Sequence, residues 1–109
     1  MPIGVNDLKV LIVEDEIKTL NGVEYLINQI SEEYIIVGKA TNAKDAIEIA
    51  MTACPDVIIT DIQMPGMTGL EMIQVLNQKQ IRSKFIILSG YAEFDYARKA
   101  VELRSVDYL

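Results

Sequence analysis

The chain contains no histidine, no tryptophan and a single cysteine among its 109 residues. Without histidine it cannot be a Ser-His-Asp hydrolase or a phosphohistidine donor. The lone Cys54 cannot close an internal disulfide, which fits a reducing compartment. It precedes Pro55 at the end of a predicted helix and reads as a small buried apolar residue. Basic charge is scarce: 10 Lys plus Arg against 16 Asp plus Glu leave a net charge of −6. The cationic footprint needed to bind nucleic acid directly is therefore missing. No apolar stretch approaches the ~20 residues of a membrane span. The start, Met1 to Asp7, lacks the basic and apolar regions of a signal peptide. The expectation is one cytoplasmic domain, long enough for a single core.

What is present is a set of short apolar runs separated by segments of helical period. The runs are Lys9 to Glu14, Tyr34 to Gly38, Asp56 to Thr60, Lys84 to Leu88, and a stub at Val106 to Leu109. Their continuous Val and Ile content suits strands buried on both faces, as in parallel sheets. Four helices are predicted between them. The first presents Leu20, Val23, Ile27 and Ile30 on one face. The second starts at a capping Asn42 and carries Ala43, Ala46, Ile47 and Ala50. Thr68 and Glu71 form a capping box for the third, which presents Leu70, Ile73 and Leu76. Phe94, Ala97 and Val101 mark the fourth.

Strict alternation of strand and helix predicts a doubly wound, five-stranded parallel sheet. The order 2-1-3-4-5, that of flavodoxin-like folds, sets the first and third strands side by side at a switch point. Three polar strand ends then meet at one edge: Glu14-Asp15, Asp61 and Ser89-Gly90. Gathered carboxylates disfavour one another's ionised forms unless a cation compensates. Magnesium suits an all-oxygen donor set, with Asp15 and Asp61 as direct ligands and Glu14 acting through water. Zinc or copper would call for histidine or clustered cysteine, and the spacing of a calcium loop is missing. A carboxylate beside such a metal can receive a phosphoryl group, with the Ser89 hydroxyl donating to a phosphoryl oxygen.

With Glu14-Asp15, Asp61, Met64-Pro65-Gly66-Met67-Thr68-Gly69 and Ser89 in this order, the chain closely resembles a receiver domain of two-component response regulators. The resemblance runs from about Lys9 to the end. It implies one receiver domain over residues 1–109, with Asp61 as phosphoacceptor. It implies a Mg2+ site built from Glu14, Asp15, Asp61 and the main-chain carbonyl of Gln63, and a switch pair of Ser89 and Tyr108. It further implies a partner sensor histidine kinase and a transcriptional output that binds DNA in place of this chain. Homodimerisation is left open. No membrane partner and no separate substrate turnover are expected. Ser89 to Ala97 is similar to receivers that precede an AraC-type helix-turn-helix output.

The family's lysine, expected two residues past Leu109, and its fifth helix fall beyond the last residue. A chain truncated at the last strand, with an uncovered apolar sheet flank, is therefore expected. Arg104 stands where the family usually has glycine. Three other readings stay open. An aspartyl-phosphate phosphatase or phosphotransferase of haloacid-dehalogenase type would need an acid where Gln63 stands. A flavodoxin-type cofactor module would need a phosphate loop in place of Glu14-Asp15-Glu16. A degenerate receiver would act only as an interaction domain.

Overall fold

The computed structural model describes residues 7–88 and the backbone of 106–108. Within it lie β1 (Leu8–Val13), α1 (Ile17–Ile30), β2 (Tyr34–Ala40), α2 (Ala43–Ala53), β3 (Val57–Asp61), α3 (Gly69–Gln78), β4 (Lys84–Leu88) and β5 (Val106–Tyr108). The strands form one parallel sheet in the order β2-β1-β3-β4-β5. The predicted fourth helix and Arg104 fall outside the described residues.

The two-residue period of β1 divides the core between the faces of the sheet. Leu11 and Val13 join Ile58, Phe85 and Ile87 beneath α2 and α3, where Ala43, Ala46, Ala50, Met72, Ile73 and Leu76 meet them. Val10 and Ile12 face the other way and pack against Leu20 and Ile27 of α1. The alanine stripe on α2 leaves room for a close helix–sheet approach. On the α1 side, a groove of about 390 Å³ extends towards β4 and is lined in part by Val57, Ile59, Ile86 and Leu88. It is the apolar flank left beside α1 among the described residues.

Local signals set the helix ends. The Asn42 side chain accepts the Asp45 N–H at 2.8 Å. Thr68 Oγ1 accepts the Glu71 N–H at 3.2 Å while Glu71 Oε1 accepts the Thr68 N–H at 3.0 Å, closing the expected capping box. These bonds to Thr68 hold the exposed Glu71 carboxyl below its ordinary value. α2 ends at Cys54, whose N–H donates to the Ala50 carbonyl at 3.1 Å from a left-handed conformation, φ 49°.

Two expectations need correction. Cys54 is exposed, not buried, because the left-handed turn sends Pro55 inward in its place. β2 continues past Gly38 to Ala40, because Lys39 and Ala40 still pair with Ile12 and Val13 after a register irregularity at Val10/Leu11.

Candidate functional site

β1 and β3 are neighbours, and their register pairs Val13 with Thr60. The next residue on each strand therefore brings an acid to the same sheet edge: Glu14, followed by Asp15, on one side and Asp61 on the other. Each offers a carboxylate oxygen, and these oxygens all lie within 4.8 Å of one another. Glu14 is buried, Asp61 half-buried and Asp15 exposed, so the cluster opens to solvent on one side.

Burial is the main force pushing the Glu14 carboxyl up to about 7. The Glu16 N–H donates to its Oε1 at 3.1 Å and pulls the other way. The charges of Asp61 and Asp15, together with a hydrogen bond shared with Asp15, push it up further. Three carboxylates so placed form an oxygen-only donor set whose own repulsion calls for positive charge. They fit a hard divalent cation such as Mg2+ and offer no nitrogen or sulfur for a softer one.

Asp61 is oriented by the backbone beyond it. The Ile62 N–H donates to Asp61 Oδ1 at 2.8 Å. At the other end of that peptide, the fully buried Thr60 donates its Oγ1 hydroxyl to the Asp61 carbonyl at 2.8 Å. The first residue of α3 rests on the same peptide. A Cβ at Gly69 would come within 2.2 Å of the Asp61 carbonyl oxygen and 3.1 Å of Ile62 Cα. Gly69 N–H meanwhile donates to the Ile62 carbonyl at 2.8 Å. Gly66, at φ 82°, turns the loop between them.

The sequence reading assigned no role to Thr60 or Gly69. The available signal was a poor helix former directly after the capping Thr68, where nothing local requires glycine. Among the remaining predicted site residues, Gln63 is exposed two residues past Asp61. Ser89 lies outside the described residues. The backbone of Tyr108 pairs in parallel with Ile87, and its side chain is outside the described residues.

Residues 10–109 match the family model of the response regulator receiver domain. Over 101 residues the chain is 38% identical to the uncharacterized transcriptional regulatory protein YesN of Bacillus subtilis, covering 93% of this chain and 27% of that protein. It is also 38% identical over 101 residues to the transcriptional regulatory protein YdfI of Bacillus subtilis, covering 93% and 46%. The chain thus spans less than half the length of these relatives. The solved REC domain of AraT, a response regulator from Geobacillus stearothermophilus, superposes with a TM-score of 0.84 at 33% identity, over 94% of this chain and 79% of that one.

Proposed function

The chain belongs to the response regulator receiver domain family, and on that premise we propose that it accepts a phosphoryl group on Asp61 from a partner sensor histidine kinase and relays this state to a transcriptional output. The observation that carries the reading is the meeting of Glu14, Asp15 and Asp61 at one strand-end edge. The receiver unit takes in the whole of residues 1–109, and Gln63 adds its main-chain carbonyl to the metal ligands. When Mg2+ is bound there, it supplies the positive charge that offsets repulsion between the carboxylates and the incoming phosphoryl oxygens.

The residues divide the work. A carboxylate oxygen of Asp61 forms the new bond to phosphorus as the P–N bond of the donor phosphohistidine breaks. The electron pair stays on the imidazole nitrogen, which takes up a proton, and an acyl phosphate remains on Asp61. The Ile62 N–H holds the carboxylate in place, so the reaction draws on positioning. Ser89 donates its hydroxyl to a phosphoryl oxygen, and Tyr108 follows it as the second member of the switch. The relatives are transcriptional regulators, which supports an output that binds DNA through a separate domain, of AraC type by the resemblance of Ser89 to Ala97. One phosphoryl group per chain is taken up and later lost to water, with no separate substrate turned over.

The test is intact-mass spectrometry of the full-length protein after incubation with acetyl phosphate, with and without Mg2+, beside Asp61→Asn. One added phosphoryl group requiring both Mg2+ and Asp61 is the expected result. A gain that persists in Asp61→Asn would remove the reading.

A further inference from the structure

One peptide plane, that joining Asp61 to Ile62, is held at both ends. Its N–H donates to Asp61 Oδ1. Its carbonyl oxygen accepts the Thr60 hydroxyl and lies against the Gly69 backbone, where no Cβ fits. A trans peptide is rigid, so whatever fixes the direction of the carbonyl also fixes the N–H on the opposite side. Thr60 and Gly69 therefore act on the carboxylate without touching it. We propose that Thr60 and Gly69 are positioning residues for Asp61, clamping this peptide so that its N–H aims the acceptor carboxylate. The inference rests on the reading of Asp61 as phosphoacceptor.

Sterics and hydrogen bonding make the two contributions different. Thr60 is fully buried on the side of the sheet that packs against α2 and α3. A buried hydroxyl needs a partner, and Thr60 finds it one residue along its own chain. Valine at this position keeps the shape and loses the bond; serine keeps the bond. Gly69 sets how near α3 can come. The atoms that an added Cβ would strike belong to the backbone of Asp61 and Ile62, so a larger residue must displace the acceptor's own peptide. A small misplacement of a reacting group is enough to slow a reaction that depends on positioning.

The experiment follows phosphoryl uptake from acetyl phosphate over time at saturating Mg2+, by intact mass, on the full-length protein. Thr60→Val, Thr60→Ser and Gly69→Ala stand beside the unaltered protein, and calorimetry gives the Mg2+ affinity of each. Thr60→Val is expected to slow uptake about tenfold, with Thr60→Ser within about twofold of the unaltered rate and Mg2+ affinity within about twofold in both. Gly69→Ala is expected to be slower still; should it fail to fold, the Thr60 pair decides. A folded Thr60→Val at the unaltered rate overturns the inference. So does an equally slow Thr60→Ser, or a loss of Mg2+ affinity in proportion to the loss of rate. If the unaltered protein takes up no phosphoryl group, the reading of Asp61 fails and the inference fails with it. Uptake that is equal in every variant removes the inference alone.

Discussion

At the edge where the strands begin, polar groups answer one another. Lys9 donates its backbone N–H to Asp56 Oδ2 at 2.8 Å and its Nζ to the Ala53 carbonyl at 2.9 Å. Asp56 N–H returns a bond to the Lys9 carbonyl, and the buried Ser83 hydroxyl donates to the Pro55 carbonyl. At the edge where the strands end, three groups of one charge stand within 4.8 Å and one of them is buried. The first edge is complete within the chain, whereas the second lowers its free energy by taking up a proton or a cation. The contrast separates polar residues whose partners lie within the chain from acids that repel one another.

The largest effect expected from that contrast is a pH dependence confined to the second edge. The folded Glu14 carboxyl titrates near 7, against 4.5 for its ordinary value. Between those values the folded chain binds more protons than the unfolded one, so stability falls as pH rises through the window. Below pH 4.5 the penalty is absent; above 7 it is fully developed. Urea unfolding in chelator at pH 5 and pH 7 should show this loss, and Glu14→Gln should remove most of it. Mg2+ opposes the same protonation, so its affinity should drop as pH falls below 7. An unaltered protein as stable at pH 7 as at pH 5, once the Glu14→Gln baseline is subtracted, would contradict the assignment.

A second step exchanges one acid at each edge. Under the proposed metal site, Asp15→Asn should weaken Mg2+ roughly thirtyfold, about 2 kcal/mol, by removing a charged oxygen from the cluster. Asp56→Asn, at the other edge, should leave Mg2+ affinity unchanged in the same titration. Equal losses in both would mean that affinity follows net charge and not the cluster. Ser83→Ala should cost about 1–2 kcal/mol in urea unfolding, since the Pro55 carbonyl loses its donor, with Mg2+ binding intact.

The two edges were also unequally legible. Buried parallel strands write themselves as continuous Val and Ile runs, so β1, β3 and β4 could be read directly and the three acids placed at their ends. Asn42 and the Thr68–Glu71 pair were visible because a cap is made within a few residues. Ladder pairing is not local, which is why the extension of β2 to Ala40 and the inclusion of Asp61 in β3 appear only once Ile12, Val13 and Leu88 are set beside them. The Thr60–Gly69 clamp was hidden for the same reason, since the close approach of Gly69 to the Asp61 peptide appears only once α3 is seated on it. Cys54 was misread because hydropathy says nothing of a left-handed turn that trades its place with Pro55.

That turn supplies the smallest and cleanest test. Cys54 holds φ 49° at the end of α2, on the strand-start side of the sheet and away from the acids. A side chain in the left-handed region carries a steric cost that glycine avoids, and the position after a helix end is where glycine is most favoured. Cys54 is exposed, so removing its side chain sacrifices little packing. Cys54→Gly should therefore gain about 0.5–1 kcal/mol, even after the greater freedom of glycine in the unfolded chain is charged against it. The gain should register as a raised urea midpoint with an unchanged slope. Mg2+ affinity and the pH dependence due to Glu14 should stay as they were. A lowered midpoint would mean that the Cys54 side chain has contacts its exposure does not suggest. A changed Mg2+ affinity would mean that the two edges are coupled through the sheet, against the separation drawn above.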